Sequence, residues 1–150
     1  MSAEQWLAAL TGDGAYTAAR EDDVLVVTDT ETGEAFDVVM IDGSVSIRHP
    51  YAVDEMDDSG EVMLLKLMSK LNNRFTCCKQ CFDEAKNIVT ICDIPAQAAS
   101  AELVRDMVEQ VQFIAGITFD LFNVAIERGK VLSDEEIDIA FDSASQAQAA

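Results

Sequence analysis

Basic side chains are scarce in this chain of 150 residues: 10 lysines and arginines stand against 28 aspartates and glutamates, a formal net charge of −18. That balance repels phosphate backbones and anionic lipid, so neither nucleic acid nor a membrane surface is expected as a partner. Long apolar runs are missing too. Glu61, Lys66 and Lys70 interrupt the best candidate, well short of the ~20 residues that span a bilayer. The opening residues, Met1-Ser2-Ala3-Glu4-Gln5-Trp6, carry no basic stretch and no apolar core. They do not read as a secretory signal, and a cytoplasmic protein is expected. There is one histidine, His49, placed before Pro50 at an expected strand end. A turn histidine of this kind is structural or solvated rather than catalytic. No glycine-rich phosphate loop exists, since Gly12-Asp13-Gly14 lacks the spacing and the preceding strand of a dinucleotide site. Carboxylate pairs such as Asp22/Asp23 and Asp57/Asp58 follow from so acidic a composition, and the 54–61 stretch lacks the positions of an EF-hand. With no catalytic constellation, the sequence does not read as an enzyme, and no cofactor is expected.

What is present is ample apolar material. Hydrophobic residues make up 49% and charged residues 25%, the balance of a globular domain long enough to bury a real core. The charge is unevenly spread: residues 1–60 carry net −12, residues 61–100 net +1, and residues 101–150 net −7. The excess suits a basic or amphipathic protein partner.

The periodicities predict a short helix over residues 3–11, with Ser2 as its cap and Trp6, Leu7 and Leu10 on one face. Four strands follow: Tyr16 to Arg20, Val24 to Thr28, Phe36 to Ile41, and Ser44 to Ile47. Polar turns separate them, Asp42-Gly43 being a tight-hairpin signal, and His49-Pro50 closes the meander. Residues 52–60 read as an acidic loop, in which Ser59 or Asp58 caps the next helix. Met63, Leu64, Leu67, Met68 and Leu71 share one face of that helix, and Val62 and Leu65 widen the stripe. So wide a stripe predicts burial on more than one side, against the sheet and a second copy. Phe75 to Phe82 and Ile88 to Ile94 read as two strands. Ser100 caps a long helix to about Arg128, with Gly116 and Thr118 weakening its middle and Gly129 closing it. Ser133 and Glu136 form a capping box for a short last helix. The fold class is therefore α+β in the order α-β-β-β-β-α-β-β-α. One domain spans residues 1–132; residues 133–150 are a short C-terminal helix and, from 143, a disordered tail.

All four cysteines lie in or beside the second pair of strands. Without an extracellular context they are expected as free thiols. If Phe82 opposes Asn87, Cys77 faces Cys92 across the hairpin. Strand alternation then puts Cys77 and Cys81 on one face and Cys78 on the other. Four sulfurs on a regular strand pair do not converge on a tetrahedral metal. Small buried hydrophobes are their expected role, with a redox or metal sensor built from Cys77, Cys78, Cys81 and Cys92 as the alternative.

Gly14-Ala15-Tyr16 after the first helix, and the run Leu67-Met68-Ser69-Lys70-Leu71-Asn72-Asn73-Arg74-Phe75, carry a resemblance to a known family. So do the hairpin ending in Ile91-Cys92-Asp93-Ile94-Pro95 and the long helix after it. The chain resembles the YbjN family of bacterial sensory-transduction regulators, whose fold is that of the type III secretion chaperones, over about residues 3–126. The resemblance implies an α+β sandwich without a catalytic site, acting as a small acidic homodimer that binds a protein or peptide partner. The expected partner or dimer surface lies on apolar clusters of the second and long helices, with Met107, Phe119 and Phe122 foremost.

Overall fold

Tight polar turns set the architecture of the first half. In the computed structural model, which describes residues 3–41 and 43–149, helix α1 (Ala3–Thr11) leads into strands β1 (Tyr16–Glu21), β2 (Val24–Asp29), β3 (Ala35–Ile41) and β4 (Ser44–Tyr51). Asp22 and Gly43 take left-handed backbone conformations, φ 54° and 74°, in the two-residue connections β1–β2 and β3–β4. Such loops match the twist of the flanking strands when φ is positive. Ser2 and Asp42, expected as cap and turn residue, lie outside the described residues. The β2–β3 turn is held by the Asp29 carboxylate, which accepts from the Glu31 and Thr32 amides at 2.8 and 3.2 Å.

Helix α2 (Asp58–Asn72) starts one residue earlier than the sequence indicates. Its cap is Asp57, whose carboxylate accepts from the Gly60 amide at 2.8 Å. Strands β5 (Lys79–Phe82) and β6 (Ile88–Pro95) follow, then helix α3 (Ala101–Arg128) and helix α4 (Asp134–Ala149). The α3 caps are as expected: the Ser100 hydroxyl accepts from the Leu103 amide at 3.1 Å, and Gly129 sits at φ 66°. The helix passes unbroken through Gly116 and Thr118. Ser133 and Glu136 form the reciprocal capping box, each side chain accepting from the other's amide at 3.2 Å.

The strands form one antiparallel sheet in the order β1-β2-β3-β4-β6-β5. The fold is α+β with the expected element order. No described helix is long and apolar enough to cross a membrane. One face of the sheet is apolar and helix-covered. Leu25, Val27, Phe36, Val38 and Ile47 pack there with Trp6 and Leu10 of α1 and with Val104, Val108 and Val111 of α3. A second core joins Leu64, Leu67 and Leu71 of α2 to Ile117, Leu121 and Phe122 of α3, and to Ile137 and Phe141 of α4. Helix α3 therefore ties the two halves together, and each fully buried Leu or Ile contributes roughly 1.5–3 kcal/mol.

Three expectations need correction. The strand Phe75 to Phe82 begins only at Lys79; residues 73–78 are used to climb from the end of α2 to the sheet edge. Strand β4 does not end before His49-Pro50 but continues to Tyr51. Pro50 pairs with Val89 of β6 but lies past the last β3 partner, Asp37 opposite Arg48, so the β3 side of the strand is unpaired there. The tail expected from residue 143 is helical to Ala149. Ile137 and Phe141 anchor α4 in the second core, and the alanines and glutamines beyond them favour helix.

Candidate functional site

The segment between β4 and α2, Ala52-Val53-Asp54-Glu55-Met56-Asp57, mixes apolar and acidic side chains, and it lies against the start of α2 and the end of α3. Together they enclose a cleft of about 500 Å³. Tyr51, Val53, Met56, Met63 and Ile126 supply its apolar surface, and Asp54, Glu55 and Asp57 stand around it. No lysine or arginine lines it. The Tyr51 hydroxyl donates to the side-chain carbonyl of Asn123, which fixes one wall. Asp57 is committed to the α2 cap: the Gly60 N–H, and then the Ser59 hydroxyl, hold its carboxyl below the usual range. Asp54 and Glu55 make no ion pair among the described residues. Ile126, at the cleft, is 42% exposed, and elsewhere on α2 Val62 and Leu65 are each 49% exposed. Val62 and Leu65 thus stay outside the single-chain core.

The three residues singled out on the long helix are not brought together. Phe122 is fully buried in the second core, because its position faces α2 and α4 rather than solvent. Phe119 is half-buried and stacked on Tyr51, with ring centroids 4.7 Å apart. Met107 packs half-buried against the first core, about 18 Å along the helix axis from Phe119 at 1.5 Å per residue. The exposed apolar position near the cleft is instead Ile126. Sequence reasoning overlooked the cleft because residues 52–60 look like solvated loop. The available signal was the presence of Val53 and Met56 among the acids.

His49 is not a turn residue. It is buried in β4, its ring stacked on Phe36 at 5.8 Å and edge-on to Phe119 at 5.4 Å. Nδ1 lies 3.4 Å from the Pro50 carbonyl, while Nε2 has no hydrogen-bond partner and sits 3.7 Å from a Glu34 carboxylate oxygen. Burial holds its pKa below the ordinary value, against the opposing pull of the Pro50 carbonyl and Glu34. Packed between these two rings, His49 is only 6% exposed.

The thiols pair differently from the sequence expectation. Phe82 opposes Ile88, not Asn87. That one-residue shift places Cys78, rather than Cys77, across from Cys92. Both are buried. Interaction with Cys92 and burial push the Cys78 thiol up, whereas the same interaction lowers Cys92. Cys77 is exposed, with its sulfur 3.7 Å from that of Cys78. Cys81 lies half-buried on the opposite side of the sheet, and burial raises its pKa. Among the described residues, no group of three or more His, Cys, Asp or Glu side chains is arranged to hold a metal ion.

No protein-family model matches this sequence, and comparison with curated proteins gives no match.

Proposed function

We propose that this chain is a non-enzymatic protein-binding module of the cytoplasm, chaperone-like or regulatory, that works as a small acidic homodimer and holds a segment of a partner protein. The resemblance to YbjN-type regulators and secretion chaperones leads to the same reading. The observation that carries it is the cleft beside α2: a mixed lining in which two flexible methionines supply apolar surface, acidic groups stand among them, and no lysine or arginine takes part. Those features fit a basic amphipathic segment, whose apolar side chains fill the cleft while its lysines or arginines meet Asp54 and Glu55. Titration calorimetry with a Lys/Leu amphipathic peptide tests this, using a Glu/Leu peptide of equal apolar content as control. Binding confined to the basic peptide, and weakened at least tenfold by Ile126→Asp or by Asp54→Lys with Glu55→Lys, is expected. Equal binding of both peptides would sink the reading.

A second reading, a peroxide-responsive thiol switch, is favoured by the contact of exposed Cys77 with buried Cys78. Peroxide oxidises the Cys77 thiolate to a sulfenic acid with loss of hydroxide. Cys78 then attacks that sulfur and releases water. Cys92 next attacks Cys78 and expels Cys77, leaving a Cys78–Cys92 disulfide in which two thiols have reduced one peroxide to two waters. Trypsin separates the thiols into peptides 75–79, 80–86 and 87–105. Mass spectrometry after peroxide treatment should join the first to the third, more slowly in Cys77→Ser. Oxidation confined to Cys77 refutes the switch.

A further inference from the structure

The sheet has a second face that no helix covers. Its side chains, including the half-buried Val24, Val26, Val39 and Ile91, belong to neither core. Antiparallel sheets that face water usually alternate apolar and polar residues, whereas runs apolar on both faces mark strands covered twice. Strands β2 (VLVVTD) and β6 (IVTICDIP) are of the second kind. At its centre Asp37 stands opposite Arg48 in the β3–β4 register. Arg48 Nε donates to the Ser46 hydroxyl at 3.1 Å, yet neither Asp37 nor Arg48 forms an ion pair among the described residues. Asp37 is half-buried all the same, and that burial pushes its carboxyl above the usual range despite the nearby Arg48. A depression of about 440 Å³ adjoins the pair, lined in part by Cys81, Phe82, Val89 and Ile91.

We propose that a second copy of this chain covers this face, with Asp37 of each protomer paired to Arg48 of the other. The inference rests on the homodimer reading above and assigns its interface. The occupant follows from charge. In a chain of net −18, two copies repel each other across most surfaces. The strand positions of this face carry three carboxylates (Glu21, Asp37, Asp93) and two cations (Arg48, Lys79), with Asp83 and Glu84 at the rim of the depression, so repulsion is weaker here than over the rest of so acidic a chain. The central pair is also self-complementary. A two-fold axis running between β3 and β4 lays Asp37 over Arg48 and Arg48 over Asp37, the isologous arrangement of a closed dimer. Stacked sheets lie ~10 Å apart, within reach of an arginine meeting an aspartate. Six strands at ~4.8 Å spacing and ~20 Å length give a projected face of roughly 580 Å², close to the ~600 Å² per partner at the low end of specific interfaces.

Light scattering coupled to size exclusion tests the assignment on the full chain, at about 0.15 and 1 M salt. The wild type should run at about twice 16.3 kDa, more completely at high salt as residual repulsion is screened. Asp37→Arg and Arg48→Asp should each halve the mass, and the doubly exchanged variant, with the same net charge, should restore the dimer. Circular dichroism verifies folding. If Arg48→Asp alone fails to fold, the loss in Asp37→Arg and its rescue by the second exchange carry the test. A wild type that is monomeric at both salts overturns this inference together with the homodimer reading. A dimer indifferent to the exchange, but broken by Val62→Glu with Leu65→Glu, overturns this interface alone and moves the contact to α2.

Discussion

Replacing His49 by phenylalanine should flatten the loss of stability in mild acid. The ring is buried between Phe36 and Phe119, with Nε2 unpartnered, and burial depresses its folded pKa below the ordinary value of about 6.5. The unfolded chain therefore takes up the proton first. Stability is fully present above pH ~6.5 and declines as the pH falls toward the lower folded pKa, with a limiting slope of about 1.4 kcal/mol per pH unit for one proton. Between pH 6.5 and 5 that amounts to at most about 2 kcal/mol. Glu34 does little to offset it, because its carboxylate is half exposed and screened. A second effect has the opposite sign: titrating the surplus carboxylates relieves self-repulsion as pH falls. Both proteins share that background, so the difference between their urea-unfolding curves at pH 7, 6 and 5 isolates the histidine. Phenylalanine also removes the orphaned nitrogen, so stability at pH 7 should change by less than ~1.5 kcal/mol, the range of volume-conserving core swaps. An identical pH slope in the two proteins would refute the reasoning, since it would mean that His49 titrates alike in both states.

Phe122→Ala should cost about 3–5 kcal/mol in urea unfolding, whereas Met107→Ala, half-buried, should cost clearly less; equal small costs would return Phe122 to the surface. Removing residues 134–149 strips Ile137 and Phe141 from the second core, a loss of roughly 3–6 kcal/mol, and should raise binding of an apolar fluorescent dye. A truncated chain that melts like the full one would make α4 dispensable. Ser100→Ala should cost about 1 kcal/mol through the lost α3 cap, read as a lower urea midpoint at unchanged slope.

Much of the fold was legible because local chemistry and tertiary structure agree. Ser100, Gly129 and the Ser133–Glu136 box mark helix ends through their own hydrogen bonds, and the meander turns follow from residues that tolerate positive φ. Residues whose role depends on distant partners were misread. Asp57 rather than Asp58 or Ser59 caps α2, a choice of one residue that composition does not make. Phe122 and Phe119 share a helix and a residue type, yet α2 and α4 close over one and leave the other beside Tyr51. Residues 143–149 look like a tail until Phe141 is seen to anchor them.

The thiols and the open sheet face make the same point about register. A strand's side chains alternate, so a shift of one residue exchanges its faces. The loop from Asp83 to Asn87 closes with the Asp83 amide donating to the Asn87 carbonyl at 2.9 Å, which pairs Phe82 with Ile88. Cys78 therefore points into the first core toward Cys92, while Cys81 joins the uncovered face with Val89 and Ile91. Alternation along β5 was visible in the sequence, but which thiol pairs with Cys92 was decided by that loop. The uncovered face escaped notice for a related reason: the Val24-Leu25-Val26-Val27 run marks a strand without showing that only its odd-numbered residues reach the helices. Once β2 is in register with β3, Leu25 and Val27 go to the core and Val24 and Val26 are left outside. Their apolar character is what the proposed second copy would cover.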